Sequence, residues 1–285
     1  MWKLPLPDNA GAMAELVTAL SPVGAVAVPL SDEERAEFVA LYEAYDRRLG
    51  NPSAELQPEG ISRELAQAVH DGYDSTQKGG RLKRLRERLQ ASVPRCPFCG
   101  FAAVTALDHH LPRSDYKALA VYCRNLIPAC GVCNQKKGKG VGGDGDHERF
   151  LNAYFYEIPD ERFFRAECSL EDGALVCSFE VVQTPRLAQD VFERLTYQFE
   201  KLELNRRLQP EVTDLLLTVK PSLQMMAEAG IGGADAVATY LRFTASSHQG
   251  SHGLNHWKTA VFHGLAECPD FCENGHRIGQ PQLGA

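Results

Sequence analysis

Four of the nine cysteines fall in two short pairs, Cys96-Pro97-Phe98-Cys99 and Cys130-Gly131-Val132-Cys133, with thirty residues between Cys99 and Cys130. Two residues inside each pair let both thiolates reach one ion from a tight turn, and two such turns complete a tetrahedral set. With sulfur at every position no place is left for water, so the expected ion is a structural Zn²⁺; four buried cysteines at accidental spacing are the alternative. Between the pairs lie Leu107-Asp108-His109-His110-Leu111-Pro112 and Asn125-Leu126-Ile127-Pro128-Ala129, and Asn134-Gln135-Lys136-Lys137-Gly138 follows the last cysteine. An imidazole with an ordinary pKa near 6.5 suits a general base at neutral pH. The carboxylate of Asp108 and the amide of Asn134 are hard oxygen donors of the type Mg²⁺ or Mn²⁺ takes. A general base and a bound hard cation are together the parts of a metal-assisted hydrolysis, in which the base activates a water and the ion stabilises the developing charge.

The charge distribution supports a polyanion-facing middle. The 285-residue chain carries a net charge of -7. Residues 81–149 hold 13 Lys and Arg against 6 Asp and Glu, while the remainder holds 17 against 31. A basic segment in an acidic chain argues for one surface that meets nucleic acid and against a coat of it along the whole length. Nine cysteines, an odd number, make a disulfide framework a poor expectation. No apolar run approaches the ~18 residues of a membrane-spanning helix. The N-terminus, with one lysine followed by prolines, does not read as a secretory signal, so a cytoplasmic protein is expected.

The elements that must position these groups are mainly helical. Ser31-Asp32-Glu33-Glu34 reads as a helix start, with Phe38, Leu41, Tyr42 and Tyr45 at helical spacing. Ile61, Leu65, Ala68 and Val69 suggest a second helix. Leu82, Leu85 and Leu89 form the stripe of a third, whose arginines, Arg84 and Arg88 among them, are expected either to face phosphates or simply to be solvated. Residues 163–169 and 175–182 read as two strands around Glu171-Asp172-Gly173-Ala174, a hairpin turn. That turn sets Cys168 across from Cys177, as a disulfide or as two small buried residues. Helical patterns follow at 187–208, 211–219, 234–244 and 254–266. The expectation is therefore a mainly α protein of the α+β class. Its organisation would be a helical region over 1–80, a zinc-stapled core over 81–157, and a hairpin plus helical region over 158–285.

The Asp-His-x-x-Pro run at 108–112, the Asn at 125, the Asn at 134 and the flanking cysteine pairs resemble the HNH endonucleases, whose fold is a ββα-metal core. The resemblance implies that His109 is the general base and that Asp108 and Asn134 bind a catalytic Mg²⁺ or Mn²⁺. It also implies that Asn125 clamps the hairpin loop to orient the base, and that Pro112 fixes the turn. Lys136, Lys137 and Lys139, with Arg84 and Arg88, are expected on DNA phosphates. Outside the motif the chain resembles the HNH subunit of Septu-type and retron-linked anti-phage systems, which implies a defence effector with an ATPase partner subunit. Its Phe150-Leu151-Asn152-Ala153-Tyr154 lacks the His-Pro that the group carries there. Two other readings stay open: a zinc-knuckle module that binds without cutting, and an RNA-cleaving nuclease. His110 reads as a packing or phosphate-contact residue; His147 could supplement the metal shell, but Asn134 already fills that place. Cys268 and Cys272, with His263 and His276 nearby, are a candidate for a second zinc site, against which stand an inter-cysteine spacing of three rather than two residues and the lack of a partner pair. A continuous helix through His248, His252 and His256 conflicts with Gly250 and Gly253.

Overall fold

The structure, a computed structural model, describes residues 3–21, 29–139, 147–171 and 174–277. The chain divides into two compact units, Lys3–Ile158 and the part from Pro159 onward. It is mainly helical, with two antiparallel sheets of two strands each, in keeping with an α+β class.

The first unit contains α1 (Ala12–Ala19), α2 (Asp32–Arg47), α3 (Arg63–Gly72), α4 (Lys83–Ala91), β1 (Ala106–His109), β2 (Leu126–Ala129) and α5 (Gly131–Lys137). A capping box starts α2: the Ser31 hydroxyl accepts from the Glu34 amide at 3.1 Å, and the Glu34 carboxylate accepts from the Ser31 amide at 2.9 Å. After α2 the chain reverses at Leu49 and Gly50, both with positive φ. Gly50 must be glycine for a second reason, since a Cβ there would lie 2.5 Å from Asn152 Nδ2. The stripe Leu82, Leu85 and Leu89 faces inward, and one hydrophobic cluster joins it to Phe38, Leu41 and Tyr45 of α2, Val69 of α3 and Leu107, Leu111 and Leu126 around the strands. The helical lead-in and the basic segment thus fold around a single core. Strands β1 and β2 pair antiparallel with Asp108 opposite Ile127 and His109 opposite Leu126.

The second unit contains β3 (Phe164–Glu171), β4 (Ala174–Val181), α6 (Gln189–Lys201), α7 (Leu204–Glu228), α8 (Gly233–His252), α9 (Trp257–Ala266) and α10 (Pro269–Asn274). The hairpin pairs Phe164 with Val181 and Glu171 with Ala174; its expected Asp172-Gly173 turn lies outside the described residues. Side chains of α7 cover the free edge of β4: Asn205 Oδ1 accepts from the Phe179 amide at 3.0 Å, and Gln209 Nε2 donates to the Cys177 carbonyl at 2.6 Å. Such cover removes the exposed strand edge that invites pairing with other chains. Helix α9 crosses β3 so closely that a Cβ on Gly264 would lie 2.4 Å from the Ala166 carbonyl oxygen.

Three helix boundaries differ from the sequence pattern. The continuous helix expected over 187–208 breaks at Glu203, which has φ 51. Beyond it α7 runs unbroken through Pro210 and Pro221. Leu204, Leu208, Val212, Leu215, Val219, Leu223 and Met226 form one buried stripe, and its packing outweighs the hydrogen bonds that the prolines cannot donate. Helix α8 continues past 244 through Gly250 to His252, and Gly253 at φ 97 ends it. An interior glycine costs only ~1 kcal/mol relative to alanine, too little to stop a packed helix. No described helix is long and apolar enough to cross a membrane.

Asn255 closes the second unit. Its Oδ1 accepts from the amides of Phe163 and Phe164 at 2.9 and 3.0 Å, and its Nδ2 donates to the Glu161 carbonyl at 3.0 Å. Truncation would orphan buried backbone donors. Asn255→Ala is therefore expected to destabilise the chain by about 2–4 kcal/mol, read as a lower urea midpoint; a loss below about 0.5 kcal/mol would mean that water replaces the amide.

Candidate functional site

The first knuckle turns tightly because the Gly100 amide donates to the Cys96 carbonyl at 2.9 Å and Gly100 takes a positive φ. The second begins α5: Cys130 is its N-cap, and its sulfur accepts from the Cys133 amide at 3.3 Å. Thr105 ties this turn to the strands, since its hydroxyl accepts from the Gly131 amide at 3.0 Å and its own amide donates to Ala129. As a result the sulfurs of Cys96, Cys99, Cys130 and Cys133, all buried, lie within 4.8 Å of one another. Four sulfurs at ~2.3 Å from a tetrahedral ion are ~3.8 Å apart. Cys99 and Cys130 already stand 4.0 Å apart, so the cluster could hold a zinc ion after a small contraction. Hydrogen bonding from Cys133, Cys96 and Cys99 pushes the Cys130 thiol down, the direction that favours a metal-binding thiolate. Among the described residues no other group of three or more Cys, His, Asp or Glu side chains converges in this way. The Cys268 and Cys272 region therefore does not assemble a second such site. The rings of His248, His252 and His256 stack at 5.6 and 4.6 Å, but their nitrogens do not converge as a metal site.

Strand β1 carries Asp108 and His109 to its end. The His109 Nε2 lies 2.9 Å from the Ala120 carbonyl, an acceptor only, so Nε2 bears the hydrogen and Nδ1 keeps the lone pair. The Tyr73 ring meets the imidazole edge-on at 4.4 Å, with its own hydroxyl donating to the Leu107 carbonyl. Burial, assisted by the positive charges of Arg113 and Lys137, lowers the His109 pKa to about 4. The ring is neutral at pH 7.

Asn125 is fully buried and spans the segment from 110 to 125. Its Oδ1 accepts from the Leu111 amide at 2.8 Å, and its Nδ2 donates to the carbonyls of Leu111 and Leu119 at 3.1 and 3.2 Å. Because Leu119 precedes Ala120, this brace also sets the carbonyl that holds His109. Tyr45 donates to Asn125 Oδ1 at 3.1 Å and accepts from Asn152 Nδ2 at 3.0 Å. Tyr45, Tyr73 and Asn152 were absent from the sequence-derived set. Tyr45 and Tyr73 could only be read as apolar ring positions, and Asn152 carried no spacing signal.

Lys137 is corrected. It was expected on phosphate, but its side chain has no exposed surface. Its ammonium lies 3.2 and 3.1 Å from the two Asp108 oxygens and donates to the His109 carbonyl at 2.7 Å. In α5 the one-turn spacing from Asn134 and the inward phase of Cys133 turn this lysine to the strands rather than to solvent. Asp108 itself is buried, and desolvation raises its pKa to about 6 against the lowering effect of Lys137. Arg88 is corrected in part: it pairs with Glu15 at 2.7 Å and donates to the Asp8 carbonyl, so it braces α1 rather than standing free for phosphate. Arg84 and Lys139 are exposed, the latter 3.6 Å from Asp115, and Lys136 is half-buried. His110 is buried on the opposite side of the strand end, close to Gly50, and His147 is exposed.

Asn134 sits on α5 one turn before Lys137. The oxygens of Asp108 and Asn134 are of the kind a hard cation takes. The Asp108 carboxylate already has an ammonium as counter-ion, so a divalent ion would share or displace that contact. In comparisons with known proteins no family model matches the chain, and no curated protein or solved structure matches it either.

Two expectations follow. Breaking the metal site, by Cys99→Ser or by withdrawing the ion with a strong chelator, is expected to remove most of the folding free energy of the first unit, since structural zinc contributes ~10–16 kcal/mol in small domains. Circular dichroism and native mass spectrometry check this; a metal-free chain with unchanged melting would exclude a structural ion. The second concerns pH. The raised Asp108 pKa adds stability that is present below pH ~4 and lost as pH rises through about 6. The lowered His109 pKa adds stability present above pH ~6.5 and lost as pH falls through about 4. The two oppose each other over the same window. In His109→Gln only the aspartate remains, so stability is expected to fall by on the order of 2–3 kcal/mol between pH 4 and 7, measured by urea titration.

Proposed function

We propose that the chain is a metal-dependent endonuclease of the HNH type, hydrolysing phosphodiester bonds in DNA. The observation that carries this reading is the state of His109: a neutral imidazole, fixed through Nε2 by a backbone carbonyl, with a lone pair on Nδ1, on the strand residue that follows the buried Asp108. These stand on a strand–strand–helix element braced by Asn125 and by four thiols. In this reading His109 Nδ1 takes the proton from an attacking water. A basicity as low as that of the buried ring is raised again when an anionic phosphate lies beside it. Asp108 and Asn134 would hold a single Mg²⁺ or Mn²⁺, which when bound supplies Lewis-acid stabilisation of the phosphate and of the leaving oxygen. Lys136, Lys139 and Arg84 remain as phosphate contacts; Lys137 serves Asp108 instead. A defence role in the cytoplasm, with an ATPase partner subunit, rests on the sequence resemblance alone.

The Lys137–Asp108 pair favours one competing reading. A carboxylate already neutralised by a buried ammonium needs no divalent ion, which suits a zinc module that binds nucleic acid without cutting it.

Supercoiled plasmid with Mg²⁺ or Mn²⁺ separates the two. The nuclease reading expects nicking that falls about 10²–10⁴-fold in His109→Ala while zinc content is retained. Equal nicking by both proteins, or none by either alongside tight DNA retention in a gel shift, would sink it. Duplex DNA, single-stranded DNA and a structured RNA run in parallel decide the substrate.

A further inference from the structure

The second unit holds a pair of thiols that the proposed nuclease chemistry leaves unused. Cys168 and Cys177 are direct partners in the β3–β4 register, and their sulfurs stand 2.8 Å apart. The kind of pairing matters. In an antiparallel ladder, opposed residues alternate between hydrogen-bonded pairs and non-hydrogen-bonded pairs, whose Cα atoms approach to ~4.5 Å. The Val182 amide donates to the Phe163 carbonyl, which makes that the hydrogen-bonded type and, counting along the register, makes Cys168–Cys177 the other type. Helix α7 gives the same answer independently. The Phe179 amide and the Cys177 carbonyl both turn away from β3, to Asn205 and Gln209. Non-hydrogen-bonded positions lie within the ~4.4–6.8 Å Cα range a disulfide needs.

The two sulfurs differ in access. Cys177 is buried, at 2% exposure, whereas Cys168 is half-buried. Cys168 lines a cavity of about 430 Å³ with Arg162, Arg165, His263, Glu267 and Cys268 around it. One thiol therefore meets small molecules from solvent while the other waits behind it. Gly264 packs a Cβ-less surface against the pair, since a Cβ there would lie 3.0 Å from Cys168 Sγ. The α9 backbone thus leaves the two sulfurs room to face each other.

The geometry points to Cys168 and Cys177 as a reversible cross-strand dithiol–disulfide site that exchanges with low-molecular-weight disulfides of the glutathione class. The Cys168 thiolate attacks one sulfur of the disulfide and releases one glutathione thiolate. Cys177 then attacks the Cys168 sulfur, the mixed disulfide breaks, and the second glutathione leaves. The two protons of the cysteines pass to the released thiolates, and the protein loses two hydrogens while one glutathione disulfide is reduced to two thiols. The hydrogen bond with Cys177 and burial both push the Cys168 thiol up, which slows its attack on a disulfide.

The test uses the full chain with any metal at the four-thiol cluster retained, incubated with oxidised glutathione and then mapped by mass spectrometry. Cleavage after Arg165 and Arg186 leaves both cysteines in one peptide, and further cleavage after Glu171 gives two fragments that only the new bond joins. The expected result is a protein lighter by two hydrogens with those fragments linked. Dithiothreitol should restore the original mass, and a stable adduct of one glutathione should form in Cys177→Ser. The linked form should melt a few degrees higher, as a short cross-link predicts. A bond from Cys168 to Cys268, oxidation confined to the four-thiol cluster, or a glutathione adduct on wild type that never resolves would each overturn the assignment. Since Cys168→Ser and Cys177→Ser differ in whether an adduct forms, a folding defect in one variant leaves the wild-type mapping decisive.

Discussion

The convergence of four thiols is the constraint on which the first unit depends. A four-residue strand pair and a seven-residue helix are too short to be stable by themselves. Cys130 is at once the last link after β2, the cap of α5 and a member of the cluster. Fixing its sulfur against Cys96 and Cys99 therefore fixes the phase of α5. That phase points Lys137 at Asp108 rather than into solvent. The hydrophobic cluster from α2, α3 and α4 supplies the rest, and it arrives through hydroxyls as much as through apolar surface. Tyr45 reaches Asn125, Tyr73 reaches the Leu107 carbonyl, and Tyr122 stacks on Tyr42 at 4.0 Å while donating to Asp46.

The Lys137–Asp108 pair sets the electrostatics of the strand end. A buried carboxylate and a buried ammonium each lose hydration, and their attraction offsets that loss only in good geometry. The raised Asp108 pKa is the sign that desolvation exceeds the attraction. Such a pair is poor evidence for stability but good evidence for a specific arrangement. It holds the His109 carbonyl through the same ammonium, and so connects the acid, the strand end and the helix.

How much of this could be read from the sequence depends on whether a property is carried by spacing or by phase. The two knuckles are spacing: two residues between sulfurs dictate a turn, and the cluster forms as those turns require. The capping box at Ser31 and Glu34 is likewise local. Lys137 was misread because adjacent lysines in a glycine-bordered segment look alike until the helix phase is known, and then Lys136 and Lys137 part company. Arg88 was misread because its partner, Glu15, lies far away in sequence. The unbroken α7 was hidden by prolines whose local cost the buried stripe overrides. Tyr45 was legible as a buried ring and illegible as a donor, because hydrophobic periodicity records where a ring goes and not what its hydroxyl meets.

His109 shows how an imidazole can be positioned without being made basic. A carboxylate partner on Nε2 would orient the ring and raise its pKa together. A backbone carbonyl orients it with a weaker charge effect, and the surrounding burial wins. The ring is held neutral and in one tautomer across the neutral range, whatever the protonation of Asp108. Its basicity is then set by what enters beside it. An anionic group close to Nδ1 strengthens it, and a cation weakens it further, as Arg113 and Lys137 already do. Under the proposed nuclease reading, such an arrangement would tie activity to the arrival of negative charge and leave the site idle until a phosphate is in place.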